Sequence, residues 1–489
     1  MPSFVYFLLA VAALVLGYII YSRVVEGLFG ANFNRATPAD TMADGVDYIK
    51  LPTWRIFMIQ LLNIAGVGPV FGPILGALYG PSALLWIVIG SIFAGGVHDY
   101  FAGMMSLRYN GKSLPDAVGY TLGNGFKQFM RGFSIVLLVL VGVVFVTAPA
   151  GLLAALTPDW MNMNFWVIVI FVYYFLATIL PIDVIIAKLY PIFAIVLLIM
   201  AFGVGGGLIF QDYAFYNWVP LEGTGLFGNQ HPSGLPMWPL MFITIACGAL
   251  SGFHATQAPL MSRCLATEKH GRPVFYGSMI AEGVIALVWA TAGMTFFHSG
   301  PELAAAIAGG GPANVVNTVC RTLLGPVGGV LAILGVVALP VTSGDTAFRA
   351  ARLVIADFTG ISQKKAPARL SVAVPLFIIG GILSQVDFNI IWRYFGWSNQ
   401  TLATVVLWAS AAYAVKRGVC HWLITFPATF MTATIISYIC VAPEGFKMPY
   451  NTSVTIGIVA AVVALGLFLS RLNWFRNNVV LELQPEKLN

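Results

Sequence analysis

Of the chain's 489 residues 59% are apolar and only 9% are charged, and the mean hydropathy is +0.86. A soluble chain carries about 25% charged residues, so too little polar surface exists here to coat a globule in water, and the chain is read as an integral membrane protein. A disordered chain, a secreted disulfide scaffold and a nucleic-acid binder are excluded, the net charge of +6 being assigned to the surface of the lipid bilayer.

Thirteen segments meet the ~20-residue length that a helix needs to cross a hydrocarbon core about 30 Å thick. They cover 4–21, 55–79, 82–106, 134–156, 163–181, 188–210, 238–260, 277–298, 327–344, 371–386, 399–415, 421–441 and 453–470. The sequence has no run of ten-residue alternating strands, so the predicted class is an all-α polytopic membrane protein. Segment 1 has no basic residue before its apolar run and Arg23 after it, which predicts a retained helix and not a signal peptide. With the loop after segment 1 in the cytoplasm, 22 of the 25 lysines and arginines fall on that side, leaving Arg321, Arg393 and Lys447 on the other. Cytoplasmic loops retain such residues, so the expected topology has the N-terminus outside and the C-terminus inside.

Segment 2 places Gly66, Gly68, Pro69, Gly72 and Pro73 in mid-span, and segment 7 runs Ser251, Gly252, Phe253, His254, Ala255, Thr256, Gln257, Ala258, Pro259. Glycine weakens a helix and proline removes a backbone donor, while bare backbone at membrane depth is tolerated only where it is buried or lines a cavity. Both segments are therefore expected to be discontinuous, segment 7 over 251–259. Five segments run from segment 2 and five more from segment 7, in opposite directions across the membrane. Broken helices at matching positions of inverted halves point to a transporter's central site. The expected organisation is a peripheral N-terminal helix and loop (1–54), a first five-helix repeat (55–210) and an outer loop (211–236). A second, inverted repeat (237–415) and peripheral C-terminal helices with a tail (416–489) follow. The basic loop 107–133 is expected to lie along the membrane surface.

Intramembrane ionisable groups are expensive and so are site candidates. Segment 3 carries His98 and Asp99, segment 7 His254, and segment 8 Glu282, which reads equally as a side chain reaching back to the interface. Asp345 closes segment 9 with Arg349 at i+4, a gating or structural ion pair or a coupling group. The five cysteines are scattered without a C-x-x-C pair and read as small apolar fillers. NGKS at 110–113 and DFTG at 357–360 are near misses to a phosphate loop and a phosphorylated-aspartate motif, so transport energy is expected from an ion gradient.

In QLLNIAGVGPVFGPILGALYG, GGVHDYFAGMMSLRYNGKS and VTSGDTAFRAARL the chain resembles the carbon starvation protein A family of bacterial inner-membrane transporters. The resemblance implies uptake of peptides or pyruvate by secondary active transport. The five-plus-five arrangement is also similar to the LeuT-like fold of the amino acid/polyamine/cation superfamily. That likeness implies a sodium site made by Thr342 and Ser343 of segment 9 with carbonyls near Ala65 and Val67. The functional expectation is a symporter, not an enzyme, for a small carboxylate-bearing nutrient, with a channel or an intramembrane enzyme as rivals. Its substrate would meet Asn63, Gly66, Gly68, Pro69, Ser251, His254, Thr256 and Gln257. The coupling ion would be a proton at His98, Asp99 or Asp345, or sodium at Thr342 and Ser343. No cofactor beyond a coupling sodium ion is expected, and the sequence carries no signal for oligomeric state.

Overall fold

Apolar runs in a medium without water must bond their backbone within the segment, and every regular element of the described residues is helical. The computed structural model describes residues 4–45, 48–179, 182–211, 213, 228–361, 363 and 365–484. Its principal helices are α1 (Phe4–Phe29), α2 (Thr53–Ile64), α3 (Gly68–Gly76), α4 (Ser82–Arg108), α5 (Leu114–Leu122), α6 (Asn124–Leu156), α7 (Met163–Ile179) and α8 (Ile182–Phe210). They continue as α9 (Met237–Thr244), α10 (Gly252–Ser262), α11 (Glu268–Thr295), α12 (Gly311–Ile333), α13 (Leu339–Thr359), α14 (Ala366–Leu383), α15 (Phe388–Arg417), α16 (Trp422–Val441) and α17 (Tyr450–Ser470). Among the described residues nine helices are long and apolar enough to cross a membrane, and α2 with the helical stretch after it makes a tenth span bent by 49°. The protein is a multi-pass membrane protein. The outer loop expected over 211–236 lies mostly outside the described residues.

Burial divides the bundle. The apolar stretches of α4, α6 and α11 are 78%, 78% and 83% buried, against 17% for α1 and 22% for α14 and α17. The first three therefore form the interior, and the last three turn their apolar side chains to lipid. Within α4 and α11 the helix widens into single π turns, at Ser91–Gly95 and Arg272–Tyr276. A π turn frees a carbonyl from the regular ladder. Here the Tyr276 hydroxyl donates to the Ile92 carbonyl at 2.7 Å, so the two wide turns brace each other.

Three boundaries differ from the sequence expectation. The basic loop 107–133 is mostly helix: α5 buries Leu114, Ala117, Val118 and Thr121, and α6 begins at Asn124, since its polar first turns continue the apolar run without a breaker. Residues 300–326 are also largely helical, in Gly300–Ala308 and in α12, which bends at Gly325 before Pro326. Asp345, expected at a helix end, lies inside α13, which runs on to Thr359. Its polar residues Asp345, Arg349 and Arg352 are buried, so a hydropathy ruler cuts the helix where burial lets it continue.

Candidate functional site

Segment 2 stops at Ile64, leaves helical geometry at Ala65 (φ −87°, ψ 49°) and restarts at Gly68-Pro69. In segment 7 the unwound stretch is 245–251 and not 251–259: α9 ends at Thr244 and α10 begins at Gly252. Gly248 supplies the reason, with a φ of +90° that L side chains rarely adopt. Ser251 flanks the start of α10, and His254, Thr256 and Gln257 sit on its first turns. The two breaks touch. A Cβ added at Gly68 would lie 2.4 Å from Cys247 Cβ and Sγ, and one at Gly72 2.9 Å from the Thr244 carbonyl.

Unwound backbone inside a membrane needs partners from side chains, and here α4 and α15 supply them. Trp86 Nε1 donates to the Ile245 carbonyl at 3.2 Å and Ser91 Oγ to Gly248 at 2.8 Å. Gln400 Nε2 donates to Leu250 at 2.9 Å. Asn399 Oδ1 accepts from the Phe253 amide at 2.7 Å, capping α10, while its Nδ2 donates to Ser251 Oγ at 3.0 Å. Sequence reasoning missed Asn399 and Gln400. The polar string Ser398-Asn399-Gln400-Thr401 inside an otherwise apolar span was the available signal.

Below the break three helices pool their ionisable groups, all 1% exposed or less. Asp99 of α4 is 2.7 Å from His98 Nδ1 through Oδ1 and 2.8 Å from His254 Nδ1 through Oδ2. His254 Nε2 lies 3.3 Å from Glu282 Oε2 of α11. Glu282 therefore does not reach for the interface: helix α11 is interior here, and its side chain points at His254. Cys247 Sγ, a ring nitrogen of His254 and a Glu282 carboxylate oxygen all lie within 4.8 Å of one another, so among the described residues this trio is the set that could hold a metal.

On the other side of the first break, Ser343 Oγ of α13 donates to the Leu62 carbonyl at 3.1 Å, with Thr342 buried beside it. Gln60 and Asn63 of α2 are 0% exposed, and neither amide group finds a hydrogen-bond partner; Gln257 Oε1 on α10, which packs along α2, is in the same state. Gly66 faces the Phe145 ring. Asp345 stands apart from the histidine cluster. It pairs with Arg349 at 3.6 Å, and Arg349 donates to the Ala177 carbonyl of α7 at 3.2 Å.

A second buried charged group, also missed because Arg108 counted only as a loop cation, joins the far ends of α4 and α11. Arg108 grips Glu268 through Nε and Nη2 at 3.1 Å each, donates to Tyr413 Oη at 3.0 Å and to the Gly30 carbonyl at 2.7 Å, and stacks over Phe29. Glu268 also accepts from the Asn32 amide at 2.6 Å.

The chain is 44% identical over 350 residues to an uncharacterized membrane protein of Haemophilus influenzae, covering 62% of this chain and 94% of that one. It is 28% identical to a protein of Bacillus subtilis named peptide transporter CstA, over 84% of each chain. A similarly named protein of Escherichia coli is 23% identical, over 89% of this chain and 80% of that one. In fold the chain is similar to a crystallised variant of a manganese transporter from Eremococcus coleocola, with a TM-score of 0.52 at 11% identity over 90% of this chain and 99% of that one. Carbon starvation protein CstA describes the family that matches residues 3–226, 157–322 and 295–437, and with nearly the whole chain matched, this protein belongs to that family.

Proposed function

We propose that the chain is a secondary active transporter that imports small carboxylate-bearing nutrients, peptides or pyruvate, across the bacterial inner membrane. It would work by alternating access between two inverted five-helix repeats within thirteen spans, N-terminus outside. The observation that carries this reading is the set of orphaned polar groups, the amides of Gln60 and Asn63 and the Gln257 Oε1, beside two breaks that touch. A buried polar group without a partner costs about 1–3 kcal/mol, and a polar substrate entering the space between the breaks would recover that cost. The start of α3 at Gly68-Pro69 offers its positive dipole end to a substrate carboxylate. The names of the relatives favour a peptide over pyruvate.

Two cations compete for the coupling role. Sodium is favoured by Ser343, whose hydroxyl meets the Leu62 carbonyl just before the break, where Thr342 and the carbonyls of Ala65 and Val67 would complete an oxygen cage. A proton would instead be carried on His98 and Asp99. Uptake of a labelled dipeptide and of labelled pyruvate into proteoliposomes, under an imposed sodium or proton gradient, tests all parts at once. Saturable accumulation driven by one gradient is expected. Flux that neither saturates nor follows a gradient would overturn the reading in favour of a channel.

A further inference from the structure

Asp99 Oδ2 stands 2.8 Å from His254 Nδ1, a bond that places a ring proton on Nδ1, and His254 Nε2 lies 3.3 Å from Glu282 Oε2. A lone pair facing a carboxylate oxygen at that distance is repulsive, and neither His254 Nε2 nor either Glu282 oxygen has another hydrogen-bond partner. A positive centre belongs between them. A proton or a metal ion would fill that role, and Cys247 favours the metal ion, because it offers a third ligand that a proton does not use. Cys247 Sγ lies within 4.8 Å of both other ligand atoms, on the unwound stretch, and its own contacts are long, 3.5 Å to Ser251 Oγ and 3.7 Å to Asn399 Nδ2.

We propose that Cys247, His254 and Glu282 form a resident binding site for a divalent d-block ion of the zinc class, with Asp99 as the outer carboxylate that orients His254. Bonds of about 2.0–2.1 Å to nitrogen and oxygen at a tetrahedral angle put those two atoms about 3.4 Å apart, and His254 and Glu282 already stand at that separation. From a separation of at most 4.8 Å the thiolate needs to close by no more than about 1 Å to reach a zinc–sulfur distance near 2.3 Å. A thiolate and an imidazole select a zinc-class ion over magnesium or calcium, which take oxygen ligands. The carboxylate–histidine arrangement, Asp99 on Nδ1 with Nε2 free, is the usual outer support of a metal-bound histidine. With thiolate and carboxylate as ligands the doubly charged ion is neutralised, which suits a site with no exposure. The ion would pin the link between α9 and α10 to α11, and the fourth position stays open.

The inference goes beyond the transport reading and is tested apart from it. Protein purified without chelator is analysed for metals by mass spectrometry, and chelated protein is titrated with Co2+ while its near-ultraviolet spectrum is followed. Close to one equivalent of a zinc-class metal is expected, with a sulfur-to-cobalt charge-transfer band that disappears in Cys247→Ser, while Glu282→Gln weakens the binding at least tenfold. Arg471→Lys, at an exposed position beyond the end of α17 and away from the trio, serves as the folded control and keeps both metal and band. Metal-free wild-type protein without a cobalt band overturns the site, and if that protein still accumulates substrate the transport reading survives without it. A band that persists in Cys247→Ser also overturns it. Full metal content in a protein that transports neither peptide nor pyruvate would sink the transport reading and leave the site standing.

Discussion

Two buried charged clusters tie α4 to α11, and they are built on opposite terms. At the far end Arg108 and Glu268 are both saturated: the guanidinium serves two carboxylate oxygens, a hydroxyl and a carbonyl, and the carboxylate also takes a backbone amide. Nine residues earlier on α4, about 14 Å along the axis at 1.5 Å per residue, Asp99 leads to His254 and Glu282, where His254 Nε2 and both Glu282 carboxylate oxygens have no hydrogen bond. A buried polar network that is complete holds one geometry, and one that is incomplete is poised for something else to finish it. The saturated cluster is therefore read as a fastener and the unsaturated one as a site.

The largest effect is expected where the fastener is broken. Removing one member of a buried ion pair costs about 3–5 kcal/mol, since the other charge stays buried and unpaired. Arg108→Ala should therefore lose most of its folded, monodisperse yield in detergent, and Arg108→Lys should recover only part, because an ammonium cannot span both Glu268 oxygens. A normal melting temperature for Arg108→Ala would remove the distinction between the clusters.

At the touching breaks the expectation reverses, with activity lost and fold kept. The Gly68 Cα faces Cys247 with no room for a side chain, but Cys247 lies on unwound backbone that can shift. Gly68→Leu should insert and elute as the wild type does while uptake falls to background, with Gly68→Ala in between. Full uptake by a stable Gly68→Leu protein would place the substrate path elsewhere.

A smaller and more selective change is expected on α13. Replacing Thr342 and Ser343 together by alanine removes hard oxygen ligands and one hydroxyl bond to Leu62. The sodium concentration for half-maximal uptake should rise roughly tenfold, about 1.4 kcal/mol, with little change in melting temperature. Wild-type uptake that ignores sodium at fixed membrane potential would assign the coupling to another ion.

How much of this was legible in the sequence depends on whether a residue's meaning lies in its neighbours along the chain or across the bundle. Gly68-Pro69 announces its own break, because backbone chemistry is local. The expected segment 7 break begins six residues too late, since Pro259 is the visible helix breaker while the deciding conformation is Gly248's. The ionisable residues were visible one by one as costly insertions, yet nothing in their spacing says that Asp99 faces His254 while Asp345 turns to α7. Cys247 read as filler and Arg108 as a loop cation for the same reason: each acquires its partners only when α4, α10 and α11 pack together. Asn399 and Gln400 carried a readable signal, a polar string in an apolar helix, whose purpose needed the unwound backbone opposite.

The smallest expected effect lies at the rim of the saturated cluster, where the chain's last described residues cross its open end. The Leu483 amide donates to the Arg108 carbonyl at 3.0 Å, the Val480 amide to Tyr120 at 3.1 Å, and Tyr109 Oη to the Val480 carbonyl at 2.6 Å. Glu482 adds an ion pair with Arg35, and that guanidinium holds its carboxyl below the usual glutamate range. A carboxyl lowered in the folded state stabilises above its unfolded pKa, near 4.3, and the contribution is lost as pH falls through the folded value. Protection of this segment from proteolysis should therefore be flat from pH 8 to about 5 and should drop only below about 4.3. Glu482→Gln should give the low-pH level at every pH. The drop is expected to be slight, because a half-exposed pair is screened by solvent and the backbone bonds to Arg108 and Tyr120 remain. Release of the whole segment on Glu482→Gln would mean that this one surface pair, and not the saturated cluster beneath it, fastens the end of the chain.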